Sequence, residues 1–220
     1  MLRFFTFLLC SAALAITAAG APLAGRMDGE SYISPTGEFR IRSPILTELG
    51  GTIDDNQSVV TFHDDFGTHI SIACFDLDAT QRWELDTRGL RDYLLYFFSD
   101  VVMTNFRTRY PESTIESARF VVELMDGSLI AYSLLPGGSY FEPANSVTGT
   151  PPGNPVVAKR GTLLFVRHRH VYVVSTELAE RATQRSTYSL STKQEDDQLS
   201  TRLTAIVGRM TFTDDKPRTP

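Results

Sequence analysis

The chain has 220 residues, of which 42% are hydrophobic, 10% aromatic and 21% charged. This is the composition of an ordinary globular protein, and it excludes a fibrous or disordered chain. The formal net charge of −5 disfavours nucleic acid and anionic membranes as partners, because both require a basic surface.

Residues 1–21 have the pattern of a cleavable secretory signal peptide. Arg3 supplies one positive charge, residues 4–16 are largely apolar, and small residues follow at 17–21, which is the order of regions in such a peptide. A membrane anchor is the alternative, but the apolar run is shorter than the ~20 residues that cross a bilayer. The sequence therefore predicts an exported protein, periplasmic or secreted, without a transmembrane segment in its mature chain.

The mature chain has the size of one domain. Removal of the signal peptide leaves about 195 of the 220 residues, within the ~100–200 residues usual for a domain. We assign residues 30–213 to a single globular domain and residues 214–220 to a flexible tail. Cys74 is the only cysteine after residue 21, so the mature chain cannot form an internal disulfide. Its apolar neighbours indicate a buried small residue rather than a nucleophile.

Three β-hairpins are predicted from strand-like runs that flank short turns. The strongest turn signal is Met125-Asp126-Gly127, because an Asp-Gly pair favours a tight hairpin connection. A further strand is predicted at residues 38–41, before Pro44. The paired runs are 58–63 with 68–72, 119–124 with 128–133, and 161–166 with 171–175.

Two helices are predicted, at residues 87–107 and 195–210. Apolar residues recur in both at steps of three or four, which places them on one face of each helix. Ser191 and Thr192 are candidate caps for the start of the second helix. Together the elements predict an α+β domain, with an antiparallel sheet of about six strands and helices packed on its faces. The periodic positions are Leu90, Leu94, Phe97, Phe98 and Val101, and then Leu199, Leu203, Ile206 and Met210.

Residues 32–44, with Gly37-Glu38-Phe39 leading to Pro44, resemble the opening of the Mog1/PsbP/DcrB group, where a Gly-Phe-x-hydrophobic strand runs into a proline. The order of hairpins and helices is also similar. The resemblance implies an α/β/α sandwich and a non-enzymatic binding or accessory protein. Members of the group have very different partners, so the resemblance names no ligand.

Two pairs of histidines are the candidates for an enzyme or a metal site. His168 and His170 are one residue apart, which in a strand places both rings on one face. His63 and His69 flank a turn that also carries Asp64. Neither pair has an evident third ligand. His168 and His170 also fall where a hairpin must turn, beside Arg167 and Arg169, so a solvated basic turn is the favoured interpretation of that pair.

The segment 136–155 is far longer than the usual connection of about four to six residues. It contains Tyr140 and Phe141 among glycine, proline and asparagine residues. Aromatic side chains are common anchors in partner recognition, and we predict these two as binding residues. The competing interpretation is that both rings close one end of the core.

The sequence as a whole favours a non-catalytic binding or accessory protein of the cell envelope. We expect no cofactor, no bound metal and no nucleic-acid partner, and an unknown protein or small molecule as the ligand. The alternative is an exported metal-dependent or hydrolytic enzyme that uses His63 and His69, or His168 and His170. No phosphate loop, dinucleotide motif or His-Glu-x-x-His helix is present in the sequence.

Overall fold

The computed structural model describes residues 23–65, 68–136, 157–178, 181 and 188–213. The predicted signal peptide and the predicted tail lie outside these residues and stay predictions. Eleven strands are described: β1 (Arg26–Asp28), β2 (Ser31–Ile33), β3 (Phe39–Arg42), β4 (Thr52–Asp55), β5 (Val59–His63), β6 (His69–Asp76), β7 (Thr114–Val121), β8 (Ser128–Pro136), β9 (Val157–Arg167), β10 (His170–Glu177) and β11 (Met210–Phe212).

A seven-stranded antiparallel sheet forms the centre of the fold, in the order β4-β5-β6-β10-β9-β8-β7. The three predicted hairpins are confirmed as β5–β6, β7–β8 and β9–β10. Left-handed backbone closes two of them, at Met125 and Asp126 before β8 and at His168 and Arg169 before β10. The turn residues therefore fix the register of these pairs.

Side chains on both faces of the large sheet are buried. In β8, Leu129 and Ala131 belong to one hydrophobic cluster, whereas Ile130 and Tyr132 belong to another on the opposite face. Covered sheets of this kind carry continuous apolar runs rather than a polar and apolar alternation. The fold thus has three layers, which is the predicted α/β/α sandwich.

Helices between residues 79 and 109 cover the face of the large sheet that carries Leu129 and Ala131. They are α1 (Ala79–Arg88), α2 (Leu90–Tyr96), a π-helical segment (Phe97–Val102) and α3 (Met103–Arg109). The predicted helix 87–107 is therefore longer and is interrupted at Gly89, which has a φ of 78°. The first turns escaped prediction because α1 buries none of its residues, so it has no apolar stripe.

Helix α4 (Thr192–Val207) lies on the opposite face. Ser191 caps it and forms a capping box with Gln194, which confirms the predicted cap. A Cβ at Gly161 would lie 3.0 Å from Leu199 Cβ, so a larger residue would push the helix away from β9 by a few tenths of an ångström. The prediction of helix as far as Met210 is wrong, because Met210 begins β11.

A second, four-stranded sheet shares this face with α4, in the order β1-β2-β3-β11. The predicted strand at residues 38–41 exists as β3, but it belongs to this small sheet. Its side chains Phe39 and Ile41 pack with Tyr32 and Phe212 into the core. The expected single sheet of about six strands is thus seven strands plus a small sheet. Within the described residues, no helix has the length and hydropathy to cross a membrane.

Candidate binding cleft

A cleft of about 370 Å³ opens where the small sheet meets one end of the large sheet. It is bounded by residues 34–38 between β2 and β3, residues 56–58 between β4 and β5, the end of β6 and the start of β10. Its volume lies within the roughly 300–1,000 Å³ typical of ligand sites. We refer to it as the binding cleft.

The wall formed by the small sheet is anchored by one aspartate. The Tyr32 hydroxyl donates to Asp55 Oδ2 at 2.7 Å, and the backbone N–H groups of Ala24 and Gly25 donate to the same carboxylate. Burial opposes ionisation of Asp55, but these donors together hold its pKa below the ordinary value. The small sheet is therefore tied to the edge strand β4 through a charged acceptor.

The turns around the cleft are set by local backbone chemistry. Asn56 Oδ1 accepts from the N–H groups of Ser58 and Val59 at 2.9 and 3.0 Å, an Asx-type arrangement that fixes the turn into β5. On the opposite wall, Leu77 N donates to the carbonyl of Arg169 at 2.8 Å. The bond between Leu77 and Arg169 holds the end of β6 against the start of β10.

The floor of the cleft is apolar and its rim is polar. Tyr32, Phe39, Val60 and Ile72 lie in the core cluster beneath it. Phe75 is 36% exposed at its edge. An apolar floor with a few placed polar groups is the usual composition of a ligand site. The polar lining residues are Ser34, Thr36, Glu38, Asn56, Gln57, Ser58, Cys74, Asp76 and His170.

Strand pairing brings His170 opposite Asp76. His170 Nε2 lies 2.8 Å from Asp76 Oδ1 and 3.9 Å from Glu38 Oε1, while its Nδ1 lies 2.9 Å from the carbonyl of His168. Both ring nitrogens thus face oxygen atoms, so the orientation of the ring is fixed from two sides. The imidazole is held in place between two carboxylates.

One buried oxygen in the lining of the cleft, Glu38 Oε2, has no hydrogen-bond partner. Behind the lining, the hydroxyl of the fully buried Tyr172 interacts with the Cys74 thiol. Burial raises the pKa of Tyr172, and the neighbouring Cys74 and Glu38 add to this shift. Buried polar groups are nearly always satisfied in native proteins. An unsatisfied acceptor at a cleft therefore marks a place where an incoming donor gains more than it would elsewhere.

Cys74 lines the cleft opposite Tyr172. Burial raises the pKa of the Cys74 thiol to about 12, and the Glu38 and Asp76 carboxylates act in the same direction. The thiolate is the nucleophilic form of cysteine. The raised pKa keeps the thiol in its neutral, less nucleophilic form. Cys74 is half-buried rather than fully buried as predicted, because it lines the cleft.

The two predicted histidine pairs lie in different settings. His63 and His69 stack at 6.5 Å at the other end of the β5–β6 hairpin, and His63 Nε2 lies 3.0 Å from Asp54 Oδ2. His168 packs against Phe212, whereas His170 faces the cleft. The left-handed backbone of the turn separates this second pair. Among the described residues, no three His, Cys, Asp or Glu side chains are placed to hold a metal.

The predicted binding residues Tyr140 and Phe141 lie outside the described residues. Sequence reasoning also passed over Glu38, Asp76 and Tyr172, which the fold brings beside His170. They come from distant parts of the chain and carry no local motif. The signal that would have found them is the register of β6 against β10, which a single sequence does not supply.

A second charged cluster lies at the opposite end of the same sheet face. Lys159 of β9 is fully buried, and its Nζ lies 2.5 Å from Glu116 Oε2, 2.6 Å from Asp196 Oδ1 and 3.1 Å from Glu195 Oε2. Burial alone lowers the pKa of Lys159, but hydrogen bonds to the three carboxylates raise it above the ordinary value. We call these four residues the lysine network; its single cation, Lys159, lies between the three carboxylates, and Glu195 also contacts Arg181.

The overall structure is similar to known structures of two proteins. The cyanobacterial PsbP protein CyanoP from Synechocystis sp. PCC 6803 matches with a TM-score of 0.51 and 12% identity, over 89% of this chain and 97% of that one. The Ran-binding protein Mog1p of Saccharomyces cerevisiae matches with a TM-score of 0.45 and 10% identity, over 85% and 96%. No family profile and no curated sequence matches the chain.

This protein has the Mog1/PsbP-like fold, an α+β architecture with an antiparallel sheet between helical layers. The resemblance predicted from residues 32–44 and from the order of elements is confirmed at the level of the fold. At these identities the likeness concerns architecture alone, because one fold hosts many functions. What the protein binds must be inferred from its own cleft.

Proposed function

We propose that this protein is an exported, non-catalytic binding protein of the cell envelope that takes up its ligand or partner in the binding cleft. The observation that carries the proposal is the meeting of an apolar floor with a buried carboxylate oxygen that has no hydrogen-bond partner, Glu38 Oε2. Such a site gains hydrogen bonds when a ligand enters, without losing any bond that it already makes.

Binding is favoured over catalysis by the state of the reactive groups. The thiol of Cys74 has a pKa of about 12, and His170 is already engaged by Asp76 and by the carbonyl of His168. A base that activates a nucleophile must be within hydrogen-bond reach of it. Here one ring nitrogen of His170 meets a carboxylate and the other meets a backbone carbonyl, so neither is directed to Cys74.

The chemical state of Cys74 is testable by alkylation. A pKa of about 12, against 9.0 for an ordinary thiol, lowers the thiolate fraction at pH 8 roughly a thousandfold. We expect iodoacetamide to modify Cys74 of the folded protein at least about a hundredfold more slowly than Cys74 of the urea-unfolded chain. A folded protein that reacts faster than the unfolded one would favour a thiol enzyme and overturn the non-catalytic assignment.

Export is proposed from the signal-peptide pattern of residues 1–21, and the mature N-terminus tests it. Intact-mass measurement of the protein isolated from its native host is expected to show a chain that lacks about 21 residues. The mature protein is also expected in the envelope or medium fraction. A chain that retains Met1 and fractionates with the cytoplasm contradicts this part of the proposal.

The role of the cleft is tested by filling it. Ser58 lines the cleft, and its backbone rather than its side chain accepts from Cys74 N, so Ser58→Trp blocks the cleft while keeping the strand pairing. Ser117→Trp on the exposed edge strand β7 is the matched control. Ligands cross-linked in the native envelope should be lost with Ser58→Trp and retained with Ser117→Trp. Retention with both variants overturns the cleft as the binding site.

A further inference from the structure

We infer that the binding cleft accepts a cationic group, a primary ammonium or a guanidinium on an aliphatic stem, with Glu38 and Asp76 as its acceptors. This inference rests on the proposed function, since it names the chemistry of the ligand for the same cleft. Two sources supply that chemistry, a lysine or arginine side chain of a partner and a free aliphatic amine.

Carboxylates outnumber basic side chains among the described residues that line the cleft. Glu38 and Asp76 are carboxylates, and His170 is the single basic side chain among the described lining residues. The guanidinium of Arg167 stacks on Phe212 at 4.8 Å and does not line the cleft. Even with the imidazole protonated, the cleft has one carboxylate in excess, which favours a cation over an anion.

The carboxylate in excess is also the one that lacks a donor. Asp76 is engaged by His170 at 2.8 Å, whereas Glu38 Oε1 lies 3.9 Å from the same ring and Glu38 Oε2 is buried without any hydrogen bond. An ammonium carries three donors and a guanidinium five. Either group can donate to Glu38 Oε2 and has further donors left for Asp76.

The apolar floor matches the stem that carries such a group. Phe39, Val60 and Ile72 lie below the carboxylates, and the methylene stems of lysine and arginine pack along apolar surface while the charged end stays at a polar site. The volume of about 370 Å³ is far larger than an inorganic ion needs. The cleft therefore has room for the stem as well as for the charge.

The probe set separates charge from shape and separates the two sources. It consists of an end-blocked pentapeptide with a central lysine among glycines, the same peptide with norleucine or glutamate in place of lysine, and free cadaverine. Binding is followed by two-dimensional ¹⁵N NMR through the backbone amides of Ser58, Cys74 and Phe75, which line the cleft. We expect the lysine peptide or cadaverine to shift these amides with a Kd at least about tenfold below that of the norleucine peptide.

Two charge-matched variants complete the test. Glu38→Gln should weaken binding of the cationic probe about tenfold, while Glu123→Gln on the exposed β7–β8 turn should leave it unchanged. Tighter binding of the lysine peptide than of cadaverine identifies a partner side chain as the source, and the reverse order identifies a free amine.

Two results overturn the inference. One is binding that does not depend on the cation: the norleucine or glutamate peptide binds equally at the cleft amides, or Glu38→Gln leaves binding unaffected. In that case the cleft binds ligands by another chemistry and the proposed function stands. The other is the absence of any shift with every cationic probe. The proposed function itself is judged separately, by the cross-linking comparison of Ser58→Trp with Ser117→Trp.

Discussion

Buried charge occurs at both ends of the sheet face that α4 covers, and the two ends differ in how it is satisfied. At one end, Lys159 contacts three carboxylates, and Glu195 also accepts from Arg181 and Tyr188. At the other end, Glu38 Oε2 has no donor. The same core thus carries one cluster whose carboxylates all contact a cation and one buried carboxylate oxygen without a hydrogen-bond partner.

The difference indicates which end serves structure and which serves binding. A buried ion cluster is tolerated when its hydrogen bonds are complete, and removal of one partner then leaves an uncompensated charge. An incomplete cluster behaves in the opposite way, because removal of an unpartnered polar group loses no bond. Paired substitutions at the two ends therefore measure how differently the two clusters contribute to the free energy of unfolding.

The largest effect is expected from Lys159→Met. The variant removes the cation that Glu116, Glu195 and Asp196 share, and breaking a buried cluster in this way costs about 3–5 kcal/mol of unfolding free energy. Urea denaturation measures the loss. Lys193→Met is the control, because Lys193 is 84% exposed and pairs only with its helix neighbour Asp197, and its stability should be essentially unchanged. Similar midpoints for both variants would contradict a structural role for the lysine network.

A charge-neutralising pair sharpens the comparison at the level of single carboxylates. Glu195→Gln weakens the charged acceptor of Lys159, Arg181 and Tyr188, and we expect a loss of about 1.5–3 kcal/mol. Glu38→Gln removes a charge with an unpartnered oxygen, and we expect no loss or a small gain. Chemical denaturation of both variants at pH 7 tests this, and equal losses would show that the two ends do not differ.

Alkaline pH should lower the free energy of unfolding, because buried tyrosines and Lys159 have raised pKa values. Burial raises the pKa of Tyr32, Tyr93 and Tyr172, whose ordinary value is 10.0. Above pH 10 the unfolded chain releases these protons while the folded chain retains them, so stability falls by about 1.4 kcal/mol per pH unit for each phenol. Lys159 has the same sign: its stabilisation is complete below its ordinary pKa of 10.5 and is lost as the pH rises through the raised folded value.

The measurement is the urea midpoint between pH 9 and 11.5, with tyrosinate absorbance recorded in parallel. Ionisation of the buried phenols should coincide with unfolding. Tyr172→Phe removes one of these groups and should make the fall with pH shallower. Tyrosinate absorbance that rises fully before the fold is lost would show that the phenols are accessible.

The smallest effect concerns two tyrosine hydroxyls. The Tyr132 hydroxyl donates to the carbonyl of Asp196 at 2.9 Å, beside the lysine network, and Tyr132→Phe should cost about 1 kcal/mol. The Tyr172 hydroxyl has the Cys74 thiol as its partner, and a thiol is a weak hydrogen-bonding group, so Tyr172→Phe should cost less than Tyr132→Phe at pH 7. Thermal melts resolve the difference, and a larger loss for Tyr172→Phe would reverse the assignment of the two ends.

Local chemistry made much of the large sheet predictable. The Asp126-Gly127 turn and the left-handed turn before His170 close hairpins whose register follows from the turn itself. Ser191 begins α4 because its hydroxyl accepts from the N–H of Gln194. In each case the determining contacts lie within a few residues, which is the range that a sequence pattern reports.

Elements without a local signal were missed. Helix α1 has no buried residue, and its Trp83 is 62% exposed. The sequence therefore has no apolar stripe that would indicate this helix. Strands β1 and β2 have three residues each, too few to show a period of two. Met210 keeps the helical spacing of Leu203 and Ile206, yet the chain leaves the helix at Gly208 and Met210 enters the small sheet.

The candidate site could not be predicted for a related reason. Asp76 and His170 face each other because β6 pairs with β10, strands that are far apart in the chain. Glu38 reaches them only through the packing of the small sheet on the large one. Each residue alone is an ordinary polar residue near a turn, and the cleft exists only in the arrangement of the three.

The closure of the small sheet has a consequence for the order in which the protein forms. Phe39 of β3 pairs with Phe212 of β11, almost the whole described length of the chain away, whereas the hairpins of the large sheet close across short turns. Contacts over long separations form late, because the intervening chain must be ordered first. Pulse-labelling hydrogen exchange should accordingly protect β9 and β10 before β3. A nascent chain therefore completes the small sheet, which forms one wall of its cleft, only after residues 210–212 have been synthesised.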